Sequence, residues 1–174
     1  RHLITDYTML SGKRLHCINE ANEYAVDLNK GTRLVWRLYN DGVAFRYELT
    51  GLKLGVLPEE HTSYIIPEGT TRWMQRWSDG YEGFFPCSTT GESRDRRWGY
   101  PSLFEPQEGI FVLLSEADIT RRQSASCLRN DGDVERYRVC PDKNDVKVSG
   151  EWHSPWRMAI IGSIADVVES TLVT

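Results

Sequence analysis

The chain has 174 residues, of which 40% are apolar, enough for one domain with its own core. Its net charge is −4, from 21 Lys and Arg against 25 Asp and Glu. That balance gives no bulk electrostatic case for nucleic acid or an anionic membrane, and no window approaches the roughly 18 apolar residues of a membrane span.

In chain order, His2 to Asn22 reads as polar and irregular, with Leu3, Ile4, Tyr7 and Leu10 as scattered anchors. Glu23 to Leu28 alternates as a half-buried strand. Arg33 to Tyr39 and Val43 to Leu49 flank Asn40-Asp41-Gly42, residues suited to positive φ, and form the clearest hairpin. Gly51 to Glu60 reads as loop, and Ser63 to Ile66 as a short strand closed by the turn Pro67-Glu68-Gly69-Thr70. From Thr71 to Trp98 glycines and Pro86 interrupt any period, yet the segment carries six aromatic rings, a load that argues against disorder. Ile110 to Leu114 is an unbroken apolar run, predicted to be a central strand buried on both faces and delivering Glu116 and Asp118 to one side at its mouth. Ser124 to Leu128 and Val134 to Cys140 read as strands around an Asn130-Asp131-Gly132 turn. Val146 to Ser149 and Met158 to Ile161 follow as strands, and the tail from Ile164 to Val173 suits a strand or a short helix. The pattern predicts an all-β chain, two large packed antiparallel sheets in a single domain over residues 1–174.

Paired carboxylates serve glycoside chemistry and clustered oxygens serve calcium, but Glu116 and Asp118 alone are too few to close a calcium shell. The aromatic segment, with Trp73, Trp77 and Trp98 and with Arg72, Arg76 and Asp79 between its rings, suits a sugar-binding face. The same composition suits an interface or the filling of a core. Arg94, Arg96 and Arg97, like Arg121 and Arg122, sit among acids, the mixture of an ordinary surface. The four histidines are isolated. Cys17, Cys87, Cys127 and Cys140 lack CxxC spacing; one or two disulfides or buried thiols both fit. The chain begins at Arg1 in polar sequence, which reads as a processed or partial chain whose targeting signal would lie upstream. Residue chemistry alone yields no self-sufficient active site.

Five ordered blocks are more specific than these patterns. Thr8-Met9-Leu10-Ser11-Gly12-Lys13-Arg14 with Asn19-Glu20-Ala21-Asn22-Glu23 is the first, and Tyr39 to Tyr47 (YNDGVAFRY) the second. Tyr100-Pro101, Ser115-Glu116-Ala117 and Ser154-Pro155-Trp156-Arg157 complete the set. Together they resemble the N-terminal domain of glycoside hydrolase family 97. The resemblance implies a partial antiparallel β-supersandwich of the galactose mutarotase-like kind, followed in the parent chain by a catalytic (β/α)8 barrel. It also implies a calcium-dependent exo-acting α-glycosidase, an α-glucosidase or α-galactosidase, acting on an oligosaccharide substrate in the periplasm or outside a bacterial cell. The catalytic residues of that family lie in the barrel. On the resemblance, Glu116 is the candidate calcium ligand that the sandwich contributes. After Ala117 the chain runs DITRRQ, without the Tyr carried there by many members, so the preferred sugar stays open. The alternatives are a freestanding carbohydrate-binding module using Trp73, Trp77 and Trp98, and a structural or partner-binding β-sandwich.

Overall fold

Alternating side chains build a ten-stranded antiparallel sheet, and a four-stranded sheet stacks on part of one face. The computed structural model describes residues 1–172 except 13, 30, 58, 93–96, 131–134 and 143–145. Lys13, Arg94, Arg96, the Asp131-Gly132 turn, Val134 and Val173 therefore lie outside the described residues.

The first strands are β1 (His2–Thr8), β2 (His16–Asn29), β3 (Thr32–Tyr39) and β4 (Gly42–Val56), an antiparallel meander. The large sheet is completed by β6 (Thr71–Trp73), β7 (Cys87–Thr89), β9 (Ser102–Gln107), β10 (Ile110–Ala117), β13 (Lys147–His153) and β14 (Trp156–Gly162). The small sheet contains β5 (Ser63–Ile65), β8 (Arg97–Trp98), β11 (Ser126–Arg129) and β12 (Arg136–Pro141). Helix α1 (Ile164–Glu169) resolves the tail; its capping box pairs Ser163 with Asp166.

Several readings from the sequence are corrected. His2 to Asn22 is not irregular: it forms β1 and the start of β2, and because much of this hairpin faces solvent its exposed positions mix polar residues with Ile4 and Ile18. Gly51 to Val56 is not loop but the end of β4, held by pairing with β13. The aromatic segment contributes three short strands, too brief to show a period. The Asn40-Asp41 turn does not use positive φ, and Gly42 has a different reason to be glycine. A Cβ there would collide with the Ala159 carbonyl on the neighbouring strand.

β10 is central, between β14 and β9, as its apolar run implies. It is not buried on both faces: Leu114 is 1% exposed, but Ile110 is 41% exposed and Phe111 and Leu113 are half-buried. Phe111 and Leu113 face away from the small sheet, and Ile110, on the Leu114 face, lies outside the core that the small sheet covers. There Phe104 and Leu114 meet Leu128, Tyr137 and Val139 in the main core. Phe104 and Tyr137 are 0% exposed and pack edge to face at 5.3 Å. Truncating such a ring costs about 3–5 kcal/mol.

β13 and β14 share one flank of β4, and the corner between them is Ser154-Pro155. Pro155 has no N–H to continue the ladder. Ser154 replaces it by donating its own N–H to the Tyr47 carbonyl at 2.9 Å and accepting the Tyr47 N–H on Oγ at 3.0 Å. This corner sets the phase of Trp156 and Arg157 on the next strand.

Candidate functional site

Register places Glu116 of β10 directly opposite Arg157 of β14, and Arg157 opposite Phe45 of β4. The same row continues through Trp36 of β3 to Tyr24 of β2. An ion pair at the covered end of the sheet thus joins an aromatic row that runs toward its open end.

The Arg157 guanidinium organises the cluster. It grips Glu60 with both prongs, Nε to Oε1 at 3.0 Å and Nη2 to Oε2 at 2.6 Å. Nη1 donates to Glu116 Oε2 and, at 2.9 Å, to Ser126 Oγ. Ser126 donates its hydroxyl to Glu116 Oε2 at 2.6 Å and its N–H to Oε1 at 3.3 Å. The side chains of Arg157, Glu116 and Glu60 are 3%, 5% and 15% exposed. Burial works against the Arg157 charge, but Glu60 and Glu116 outweigh it and hold the guanidinium above its ordinary value. Burial also pushes the neighbouring Tyr100 phenol well up and the Tyr64 phenol up, and both hydroxyls are buried without a hydrogen-bond partner.

Beside the cluster lies a cavity of about 420 Å³ whose wall includes Glu59, Glu60, Arg129, Arg138, Trp152 and Arg157. That is within the size range of a ligand pocket, although its lining is more charged than most. Ser126 is 1% exposed and its hydroxyl is spent on Glu116, so it is not presented as a nucleophile. The arrangement holds groups in place.

Calcium demands six to eight oxygens. Among the described residues no three His, Cys, Asp or Glu come together as a metal site. Glu116 fits as one donor: Oε2 is occupied twice, whereas Oε1 has a single 3.3 Å contact and keeps acceptor capacity. Asp118 does not join it, contrary to the expectation of two carboxylates on one side. The strand ends at Ala117, and Asp118 has φ 61°, a left-handed turn that sends its carboxylate toward Arg46 at 3.6 Å and His153 at 3.9 Å.

The three tryptophans do not form a common platform. Trp98 is 4% exposed, in the core, with Nε1 bonded to Asn130 Oδ1 at 3.0 Å and Arg72 stacked at 4.6 Å. Trp73 is half-buried against Phe111, and Trp77 is half-buried between Tyr81 and Arg97. The ring with the strongest electrostatic setting is Trp156, with Arg37 and Arg46 at 4.4 and 4.5 Å. Sequence reasoning missed Arg157 as the partner of Glu116 and Glu60 as the second carboxylate on that arginine; the Ser154-Pro155-Trp156-Arg157 block was the available signal, without a role attached to its arginine.

Fold and cluster together define an all-β supersandwich domain with buried ionic anchoring at one end. The chain belongs to glycosyl hydrolase family 97, as its N-terminal domain: the family model described as Glycosyl-hydrolase 97 N-terminal matches residues 1–174. A probable retaining alpha-galactosidase from Streptomyces bingchenggensis is 30% identical over 138 residues, 79% of this chain and 21% of that protein. A family 97 enzyme from Pseudoalteromonas sp. strain K8, solved in complex with acarbose, superposes with a TM-score of 0.83 at 21% identity, over 99% of this chain and 28% of that one. The crystal structure of a beta-arabinopyranosidase gives a TM-score of 0.82 at 23% identity, over 99% and 32%. The chain thus spans about a fifth of the curated relative and about a third or less of these solved chains.

Proposed function

We propose that this domain is the non-catalytic support of a calcium-dependent exo-acting α-glycosidase, with the reaction carried by an adjacent (β/α)8 barrel in the parent chain. The observation that carries the reading is Glu116. It lies in the family's Ser115-Glu116-Ala117 block, at the mouth of a central strand, with its position fixed by Arg157 and Ser126. Glu116 Oε1 would supply one calcium ligand and the parent chain the others. The ion, when bound, would stabilise charge that develops in the pocket. The relative at 30% identity makes an α-galactoside the first substrate to try and retention the expected stereochemistry. Acarbose and panose in the Pseudoalteromonas complexes keep an α-glucoside as the second. On the same resemblance the protein works in the periplasm or outside the cell. A freestanding sugar platform of Trp73, Trp77 and Trp98 is disfavoured by the burial of Trp98.

The test is turnover of p-nitrophenyl α-galactoside and α-glucoside by the full-length protein, with calcium and with EDTA. Calcium-dependent turnover of either is expected; none, with folded protein, would sink the proposal. Glu116→Gln then separates a ligand from a structural anchor. A ligand predicts loss of the calcium-induced rise in Tm, because a cation that binds only the folded state stabilises it by mass action. A purely structural carboxylate would lower Tm in EDTA and leave the calcium increment intact.

A further inference from the structure

Cys127 of β11 lies directly opposite Cys140 of β12. Directly opposed residues of an antiparallel pair project from the same face of the sheet. The local hydrogen bonds identify the type of pair. Asp142 N donates to Ala125 O at 2.8 Å, whereas Val139 N turns away to Thr62 O at 2.9 Å. Ala125 and Asp142 therefore form a hydrogen-bonded pair, and by alternation so do Cys127 and Cys140. Cα atoms of such a pair stand about 5.5 Å apart, inside the roughly 4.4–6.8 Å that a disulfide spans. Cys17 and Cys87 belong to the other sheet, on β2 and β7.

We propose that Cys127 and Cys140 are a redox-active pair, joined as a cross-strand disulfide by exchange with a small-molecule disulfide such as oxidised glutathione, and reopened by thiols. Both are thiols here. Their surroundings set the order of attack. Cys127 is 0% exposed, with Arg97 Nε donating to its sulfur at 3.4 Å. Cys140 is half-buried and borders the 420 Å³ cavity, which gives a small reagent its approach.

The Cys140 thiolate attacks one sulfur of the small disulfide, forming a mixed disulfide and releasing one thiolate. Cys127 gives its proton to that thiolate and, with Arg97 beside its sulfur, attacks the Cys140 sulfur and expels the second small thiolate, which takes from solvent the proton that the Cys140 thiol gave up before the first attack. Two protein thiols and one small disulfide thus become one protein disulfide and two small thiols.

The pairing geometry also sets the character of the bond. Opposed Cβ atoms sit about 4.5–5.5 Å apart, at the wider end in hydrogen-bonded pairs, against roughly 3.5–4.5 Å in a relaxed disulfide. Oxidation must draw β11 and β12 together, so the bond is strained and readily reduced. Ser126, the residue before Cys127, holds Glu116, so the redox state acts one residue from the ionic cluster.

The experiment equilibrates the folded full-length protein with oxidised glutathione, blocks remaining thiols with iodoacetamide and maps the peptides by mass. A Cys127–Cys140 linked pair is expected, lighter by two hydrogens than the two thiol peptides and lost on dithiothreitol treatment. It should persist in Cys87→Ser, and Cys127→Ser should accumulate a stable glutathione adduct at Cys140. Recovery of both wild-type cysteines as alkylated thiols would overturn the proposal. So would a lasting glutathione adduct with both cysteines present, or a link from either one to Cys87 or Cys17.

Discussion

Arg157 carries more structural weight than either carboxylate it holds. Its guanidinium satisfies Glu60 and Glu116 at once, and a planar fork is the group suited to that geometry. A buried ion pair contributes little net stability against an apolar replacement, but breaking one leaves an uncompensated charge. Arg157→Met leaves two carboxylates facing each other at the edge of the core and is expected to destabilise by about 3–5 kcal/mol. Urea unfolding followed by Trp fluorescence measures this. Arg157→Lys should fall between the two, because an ammonium cannot make the paired contact with Glu60 while reaching Glu116. A loss under about 1 kcal/mol for Arg157→Met, comparable to an exposed pair, would show that the cluster is solvated and that the carboxylates relax into water.

At the scale of elements, the turn of the β3–β4 hairpin meets β14 through backbone, beside the side-chain packing of Val35 and Ala44 against Trp156 and Met158. Asp41 O accepts Ile161 N at 2.8 Å, and Gly42 packs its α-carbon against the Ala159 carbonyl. Gly42→Ala is expected to push β14 off β4, shifting Arg157 and costing roughly 1–3 kcal/mol, as overpacking against rigid neighbours does. Gly51→Ala is the comparison: its φ of 68° strains any side chain, but nothing lies near the added Cβ. If the two substitutions lower Tm equally with no change near Arg157, close approach is not what Gly42 is for. This hairpin also shows what the amino-acid order makes legible. Alternation in Arg33 to Tyr39 and Val43 to Leu49 identified both strands and the turn between them, because one face of each is apolar. β1 and the first part of β2 escaped notice because their exposed face mixes Asn and Glu with Ile, whereas Glu23 to Leu28, the rest of β2, alternates and was legible as a strand. β6, β7 and β8 are shorter than any period, and tertiary pairing alone makes them strands. Glu116 was legible from its place after an apolar run. Its partner Arg157 is 41 residues away, and Glu60 is 97 from Arg157, separations that only the register of a folded sheet brings together.

On the scale of the whole molecule, the two sheets are unequal, and the larger has a face with two fates. Directly opposed residues Leu114, Ala159, Val43, Leu38 and Asn22 mark one face across five strands. Under the small sheet Leu114 is 1% exposed, whereas Leu38 on the same face is 45% exposed. Around Leu38 stand Ile4, Ile18, Tyr24 and Val26, each more than half exposed, beside the unpaired edge of β1. An apolar patch against an open strand edge is a template for association. The 174-residue chain alone is therefore expected to self-associate at micromolar concentration. Sedimentation velocity measures it. Ile18→Lys with Val26→Lys should restore the monomer, since both changes place charge on the exposed face without touching the core. A wild-type chain that sediments as a monomer would mean that the aromatic row from Tyr24 to Phe45 is tolerated in water. This face would then not be one built to be covered.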